Sequence, residues 1–179
     1  MGTPKLHQPV KLFYGVLFSD IETLPCVKER LVAEHGEIDS ESEIFDFNFT
    51  GYYQKEMGDS IKRIFYSFDE LIEPEELSHI KLKSNDIELD YLCDDKRSVN
   101  LDPGYITPAK VILASAKDNI QRVYIMNGIY EEITLYYKNN TFNAFDWTFP
   151  DYRQSYIPFF NELRKVYVGQ IELLKAERK

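Results

Sequence analysis

The chain has 179 residues and 44% hydrophobic content, a length that fits one domain with its own core and leaves no room for two large domains. Its formal net charge of −9 disfavours nucleic acid and anionic membranes as main partners, because both attract clustered Lys and Arg. No apolar run is long enough to cross a bilayer, and the two cysteines are far apart, as in proteins of a reducing compartment. We therefore predict a single cytoplasmic domain over residues 1–179.

The N-terminal part of the chain predicts three strands and one helix. A continuous apolar run over residues 10–19 is typical of a central strand that is buried on both faces of a sheet. Residues 20–35 predict a helix that begins near Thr23. Alternating aromatic side chains over 43–50 predict a half-buried strand, and residues 61–68 predict another.

A second helix and a tight turn are predicted in the middle of the chain. The spacing of apolar residues over 74–92 indicates a helix with a break near residues 84–85, followed by a charged loop over 93–97. Residues 98–101 predict a short strand. The Asp-Pro-Gly sequence at 102–104 then has the composition of a type II turn.

The C-terminal part predicts a hairpin, a further strand and a long helix. Residues 107–113 suit either a helix that begins at Thr-Pro or a strand. Within 122–137, Asn-Gly at 127–128 separates two β-rich runs and is the clearest hairpin signal of the sequence. Residues 142–148 predict a strand, and apolar spacing over 156–175 predicts the closing helix.

Strands outnumber helices, so the sequence predicts an α+β fold with a mainly antiparallel sheet and helices packed on one face. Residues 45–52 resemble residues 145–152, since each is an aromatic run that ends in Tyr. This similarity indicates two related half-domains, about 8–95 and 98–179, although alternating aromatic residues are also ordinary strand patterning. A duplication would favour a ligand cleft between the halves.

The sequence lacks the common motifs for phosphate, dinucleotide and zinc chemistry. It contains no phosphate-binding loop ending in Gly-Lys-Ser or Gly-Lys-Thr, no dinucleotide-binding glycine pattern and no Gly-x-Ser-x-Gly nucleophile turn. The histidines His7, His35 and His79 lack the spacing of zinc ligands. The sequence therefore does not indicate a zinc, haem or flavin cofactor.

Polar side chains beside turns are concentrated after residue 100. Asp102, Glu132 and Asp151 are candidate catalytic residues, because carboxylates serve as general bases and as Mg²⁺ ligands. Other residues are predicted to bind a small molecule that carries phosphate or carboxylate: Tyr105, Lys117, Thr134, Tyr152, Arg153 and Glu56. Loop positions such as these are where binding and catalytic residues concentrate.

The second strand of the predicted hairpin separates two faces. Alternation places Glu132 and Thr134 on a face rich in Tyr, and Ile129, Ile133 and Leu135 on the opposite face. We expect the Ile and Leu face to pack on the core and the Tyr face to line a cleft.

Structural roles are the alternative for each candidate. Asp102 would then accept backbone N–H bonds in its turn, Glu132 would pair with a cross-strand cation, and Arg153 would pair with a carboxylate or cap a carbonyl. The first half of the chain holds a smaller polar group that consists of Glu56, Asp59, Lys62 and Arg63.

Ordered segments over nearly the whole chain resemble a known family. The most specific is Asn-Leu-Asp-Pro-Gly-Tyr at 100–105, and the others lie at 9–20, 52–58, 128–135 and 147–153. In this order they resemble the prokaryotic family called domain of unknown function 4416. The resemblance implies a small bacterial or archaeal cytosolic protein and implies no reaction. Members are often described as GTP-binding proteins, which this sequence does not support, since it lacks a phosphate loop and a guanine-binding motif.

Two classes of function remain open from the sequence. The first is a small-molecule enzyme or ligand-binding domain whose cleft is lined by Tyr and by Asp102, Glu132, Asp151 and Arg153. The second is a non-catalytic interaction module, or a homodimer, that uses exposed aromatic residues or edge strands. A deep pocket with converging polar groups favours the first class, and a flat aromatic patch favours the second.

Overall fold

The strands and helices follow one another irregularly along the chain. The computed structural model describes residues 2–48, 53–58, 60–93 and 96–177. Its strands are β1 (Val10–Phe18), β2 (Ile38–Glu41), β3 (Phe45–Asp46), β4 (Lys62–Ile72), β5 (Leu92–Cys93), β6 (Lys96–Arg97), β7 (Val99–Ile106), β8 (Lys110–Ser115), β9 (Val123–Met126), β10 (Ile129–Lys138) and β11 (Thr141–Ala144). Its helices are α1 (Leu24–His35), α2 (Gln54–Met57), α3 (Leu77–Leu89), α4 (Pro150–Gln154) and α5 (Ile157–Glu177). Across these ranges, no helix is long and apolar enough to span a membrane.

Nine strands form one antiparallel sheet, in which the order of the main strands is β11-β10-β8-β7-β1-β4-β2. The short strands join at its margins, since β3 pairs with β4 and β9 pairs with β10. Strands β5 and β6 form a separate hairpin. Strand β1 lies between β4 and β7, and every residue of β1 is buried. The α+β class and the mainly antiparallel sheet are therefore confirmed.

Helices cover both faces of this sheet. Tyr14 of β1 lies in a core with α1 and α3, which contribute Leu31 and Leu77. Phe13, the neighbour of Tyr14, lies in a second core with Phe160 of α5. The expectation of helices on one face therefore holds for α1 and α3, whereas α5 packs on the other face. The reason is that a central strand with apolar residues at consecutive positions requires apolar cover on both sides.

The turn predicted at residues 102–104 is wrong, because these residues continue β7. Strand β7 stays paired with β1 through the whole segment, and Phe13 lies opposite Gly104. Instead of forming a turn, Gly104 allows β7 and β8 to approach each other closely. A Cβ atom at this position would lie 2.3 Å from the carbonyl oxygen of Ile112 on β8.

Residues 107–113 form a turn and most of β8, so the strand alternative for this segment is confirmed and the helix alternative is wrong. Thr107 caps the turn between β7 and β8. Its Oγ1 accepts hydrogen bonds from the backbone N–H groups of Ala109 at 3.2 Å and Lys110 at 3.1 Å.

Two-residue turns join the strands of the C-terminal half. Asn127 and Gly128 connect β9 to β10 with φ of 52° and 78°, which confirms the predicted hairpin. Asn139 and Asn140 connect β10 to β11 with φ of 55° and 62°. The strand predicted over 142–148 is shorter than expected, since β11 ends at residue 144.

Helix α3 runs without the break predicted near residues 84–85. Ser84 is buried, and its Oγ donates a hydrogen bond of 2.8 Å to the carbonyl oxygen of Lys81, so the hydroxyl is satisfied inside the helix. Strands β5 and β6 replace the predicted loop over 93–97. Only β3 represents the strand predicted over 43–50, whose last two residues lie outside the described ranges, and β2 was not predicted.

The two related half-domains stay a prediction. Residues 8–95 and 98–179 supply neighbouring parts of one sheet, with β1 paired to β7 at their border. Helix α1 follows β1, whereas β7 and β8 are joined by the short turn over 107–109. Tyr52, which corresponds to Tyr152 in the predicted repeat, lies outside the described residues.

Candidate functional site

Strands β7 and β8 separate beyond a short paired stretch and leave a fork in the sheet. In the described residues they pair only from Gly104 with Leu113 to Ile106 with Val111. Beyond that stretch β7 remains paired with β1, while β8 remains paired with β10 as far as Ser115. Both strands line a cavity of about 540 Å³, which we call the fork cavity. Its volume is typical of small-molecule sites.

The sequence of β7 accounts for the fork. Gly104 permits the close approach of β8 at the base of the fork. Pro103, the residue before Gly104, lies just beyond the last pair with β8, a position where the missing proline N–H is tolerated. Asp102 precedes Pro103, and its partly exposed side chain lines the cavity. The Asp-Pro-Gly sequence therefore ends one strand pairing and places a carboxylate at the opening.

Arg63 of β4 is a buried cation of the fork cavity, with only 4% of its surface exposed. The guanidinium packs on the rings of Phe47 and Tyr152, whose centroids lie 5.2 and 5.7 Å away. Its NH2 lies 3.4 Å from Oδ2 of Asp102, and its NH1 lies 3.4 Å from the Tyr152 hydroxyl and 3.9 Å from Oδ2 of Asp151. These contacts exceed the roughly 2.8 Å of a good charge-assisted hydrogen bond. Within the described part of the chain, Nε has no hydrogen-bond partner.

Helix α3 contributes a second polar group to the cavity. Lys81 Nζ donates a hydrogen bond of 2.7 Å to the carbonyl oxygen of Leu101 and lies 4.0 Å from Oδ1 of Asp102. Glu88 accepts hydrogen bonds from the Leu101 N–H at 2.7 Å and from Arg97 NH1 at 3.0 Å. Lys81 and Glu88 therefore hold the separated part of β7 against the helix and line the cavity at the same time.

Glu132 lies on the β10 wall of the cavity and already has partners. Its Oε2 accepts hydrogen bonds from Arg122 Nε at 2.8 Å and from Gln121 Nε2 at 3.2 Å. Arg122 NH1 also donates to Ser115 Oγ at 2.7 Å. This buried pair ties the loop between β8 and β9 to the sheet, which is the structural alternative that the sequence left open for Glu132.

Burial raises the pKa of two carboxyl groups in the cavity. For Asp151, which is 3% exposed, burial raises the pKa and attraction to Arg63 opposes the rise. Burial also raises the pKa of Glu88, against the attraction of Lys81. Both groups therefore hold a proton more readily in the folded protein than in the unfolded chain. A carboxyl group with a raised pKa is suited to proton donation.

Five of the predicted site residues line the fork cavity: Asp102, Lys117, Glu132, Asp151 and Tyr152. In the described part of the chain the other four, Tyr105, Thr134, Arg153 and Glu56, do not line it. Tyr105 is buried in the core beside α1 and α3. Glu56 forms an ion pair of 2.6 Å with Arg97, which itself lines the cavity.

Arg153 and Thr134 hold the backbone before α4. The Arg153 guanidinium donates to the carbonyl oxygens of Thr148, at 2.7 Å from Nε, and of Asp146. The Thr134 carbonyl oxygen accepts a hydrogen bond of 2.6 Å from the Thr148 hydroxyl. Arg153 therefore caps carbonyl groups, which is the structural role predicted as the alternative to ligand binding. Its guanidinium forms these hydrogen bonds outside the cavity.

The predicted faces of β10 are only partly correct. Glu132 lines the cavity as expected, but Ile133 is 40% exposed. Ile129 and Leu135, predicted on one core face, belong to the cores on opposite sides of the sheet. The pairing with β8 shifts register between Ile133 and Leu135. One inserted residue exchanges the two faces of a strand beyond it, which explains why Leu135 lies on the opposite side of the sheet from Ile129.

The three candidate carboxylates do not share one metal site. Among the His, Cys, Asp and Glu residues within the ranges that the structure describes, no group of three or more is placed to hold a metal ion. Asp102 and Asp151 both lie beside Arg63, whereas Glu132 pairs with Arg122. The combined Mg²⁺ role considered for these carboxylates is therefore not supported by their arrangement.

Sequence analysis missed most basic residues of the cavity. Lys81, Arg97 and Arg122 were not predicted, and Arg63 appeared only as a member of a polar group. The available signal was a basic residue at an inward-facing position. Arg63 shares one face of β4 with the fully buried Phe65, and Lys81 is buried on α3.

Comparison with known proteins identifies a family for the chain. No curated protein and no solved structure matches it. The family described as "Domain of unknown function (DUF4416)" matches residues 8–167, which is nearly the whole chain. This match agrees with the resemblance carried by the ordered segments of the sequence. The chain therefore belongs to the DUF4416 family.

Proposed function

We propose that the protein binds a small molecule bearing a phosphate or carboxylate group in the fork cavity, as an enzyme or as a ligand-binding domain. The surroundings of Arg63 carry this proposal. The guanidinium of Arg63 is buried, its three polar contacts are long, and in the described residues its Nε has no hydrogen-bond partner. Guanidinium groups bind phosphate and carboxylate through paired hydrogen bonds, so a bound anion would supply the short contacts that Asp102 and Asp151 do not.

The charge distribution supports a small anion rather than an extended one. The net charge of −9 opposes the approach of polyanions. The fork cavity nevertheless gathers several basic residues, namely Arg63, Lys81, Arg97, Lys117 and Arg122. The lining also holds five acidic residues, so its formal charges balance: Glu88, Asp102, Asp118, Glu132 and Asp151. A compact anion that enters the fork therefore meets a charge-balanced lining inside an acidic protein.

Asp151 distinguishes an enzyme from a ligand-binding domain. It lies beside Arg63 in the cavity, and burial raises its pKa, so its protonated form would serve as a general acid toward an oxygen atom of the bound molecule. A ligand-binding domain would need no such proton. An enzyme would lose turnover, while keeping ligand affinity, on the change Asp151→Asn.

Arg63→Lys is expected to weaken the binding of inorganic phosphate by about tenfold or more, because lysine keeps the charge but loses the paired donors. Isothermal titration calorimetry with phosphate measures the dissociation constant. Thermal unfolding in the same buffer shows whether the variant is folded. Retaining the charge avoids leaving Asp151 buried without a cation.

Arg153→Lys is the matched control for this experiment. It makes the same substitution at an arginine that binds carbonyl oxygens outside the cavity, so phosphate affinity should stay within about twofold. Equal affinity for phosphate in the Arg63→Lys variant and the wild type would contradict the proposal. So would a larger loss on Arg153→Lys than on Arg63→Lys.

A second candidate function, pairing with a second copy of the chain, is favoured by the edge strand β9. In the described residues this strand pairs only with β10, so one of its edges is free for another strand. Val123, Tyr124 and Ile125 are all exposed, and β9 contains no charged residue that would oppose antiparallel pairing with its own copy. This arrangement would make a homodimer of two sheets.

Ile125→Lys is expected to convert such a dimer to a monomer, because it places like charges across the paired strands. Size-exclusion chromatography with light scattering measures the mass over a range of protein concentrations. Leu173→Lys, a change at an exposed position of α5, should leave the mass unchanged. A wild-type chain that is monomeric at every concentration rules out the second function.

A further inference from the structure

Apolar side chains line the fork cavity beside its charged groups. Leu113 and Ala114 of β8 are buried and line the cavity, and Phe149 and Pro150 line it beside α4. These side chains have no group that hydrogen-bonds an anion. A phosphate held by Arg63 would leave these apolar side chains without a partner, which favours a ligand with an apolar part.

Phe149 occupies an unusual position for a large aromatic side chain. It is the N-cap residue of α4, where Ser, Thr, Asp or Asn are favoured because their side chains accept a backbone N–H bond. The phenylalanine makes no such bond. The residue is 43% exposed and lines the cavity, so neither helix capping nor burial in the core accounts for it.

The ring of Phe149 differs from the rings of nearby residues in the sequence because it stacks on no other ring in the described part of the chain. Phe145 and Trp147 stack on each other with centroids 4.6 Å apart. None of the ring contacts in the described part of the chain involves Phe149. An exposed ring at a cavity, next to two rings that are already stacked, is free to pack against a flat group of a ligand.

We infer that the ligand of the fork cavity is an aromatic phosphate or carboxylate, with its ring against Phe149 and Leu113 and its anionic group toward Arg63. This inference rests on the proposed function and deepens it. Contacts of the ring with Phe149 and of the anion with Arg63 would together orient the molecule in the cavity. An anion without a ring makes only the second of these contacts.

The test compares phenyl phosphate with methyl phosphate, which carries the same anionic group but no ring. Calorimetry on the wild-type chain should give about tenfold tighter binding of phenyl phosphate, from the burial and stacking of the ring. Phe149→Ala should remove most of this difference and leave the affinity for methyl phosphate within about twofold of wild type. Trp147→Ala, which removes a ring outside the cavity, should preserve the preference for phenyl phosphate.

The outcomes separate this inference from the proposed function. Equal affinity for the two probes overturns the aromatic ligand, and so does a preference that survives Phe149→Ala. If Arg63→Lys still weakens both probes in those cases, anion binding in the cavity stands. Failure of both probes to bind the wild-type chain overturns the inference together with the proposed function.

Discussion

Gly104→Ala is expected to lower the free energy of unfolding by about 3 kcal/mol or more, because the base of the fork has no room for a methyl group. The new Cβ would lie 2.3 Å from the carbonyl oxygen of Ile112 and 2.6 Å from Cζ of Phe13. The Phe13 ring can rotate only against the packed core around Phe160, and the Ile112 carbonyl belongs to the neighbouring strand. Strands β7 and β8 must therefore move apart. Urea unfolding followed by far-UV circular dichroism measures the loss.

Gly169→Ala provides the control for this prediction. Gly169 lies within α5, and a Cβ there would meet nothing within 4 Å. Alanine favours a helix over glycine, so this variant should gain about 0.5–1 kcal/mol. Unchanged stability of the Gly104→Ala variant would mean that β7 and β8 are not paired at this position, and the fork described above would then be incorrect.

The role of Gly104 also shows what sequence analysis missed in this fold. Asp-Pro-Gly has the composition of a turn, and local preference alone gives no reason to extend a strand through it. The strand exists because β1 pairs along all of β7 and because the cores on the two sides of the sheet bury its two faces. A glycine in a strand can indicate that another segment approaches closely, but this interpretation requires knowing which strand lies beside it. The hairpin at Asn127 and Gly128 was predictable because its signal is local.

Residues of the candidate site were likewise predictable only where their signal is local. Asp102 and Asp151 were predicted because each adjoins a proline, where turns and their polar residues concentrate, although Asp102 in fact lies inside β7. Lys81 was not, since its spacing on α3 is that of a core residue and its partners come from β7. Thr134 was misplaced by a bulge that leaves no mark in a run of alternating residues. The pairing of strands that are distant in sequence decides which polar residues lie close together. The local sequence pattern does not contain this information.

Arg63→Met is expected to destabilise the protein by about 3–5 kcal/mol, the usual cost of removing one partner of a buried ion pair. Methionine has a similar length and is apolar, so the change removes the cation while filling part of its space. Asp151 would then be a buried carboxyl group without its cation, whereas Asp102 would keep Lys81 at 4.0 Å. The destabilisation should grow as the pH rises. Loss of Arg63 removes the attraction that opposes the burial-induced rise in the pKa of Asp151.

The direction of this pH dependence follows from linkage. A carboxyl group whose pKa is higher in the folded protein than in the unfolded chain favours folding at low pH, and this stability is lost as the pH rises through the folded pKa. The loss caused by Arg63→Met should therefore be larger at pH 8 than at pH 4. Adding Asp151→Asn should recover part of it at pH 8, because the buried carboxylate is no longer present.

Lys62→Met is the matched control, since Lys62 precedes Arg63 on β4 but is exposed and lies 3.7 Å from the exposed Asp46. Surface pairs of this kind contribute little, so the free energy of unfolding should change by no more than about 0.5 kcal/mol. A loss on Arg63→Met as small as that on Lys62→Met would show that Arg63 is not buried against Asp151. A loss independent of pH, unaffected by Asp151→Asn, would assign it to packing against the surrounding rings instead of charge. Either result would remove the physical basis for placing an anion beside this guanidinium.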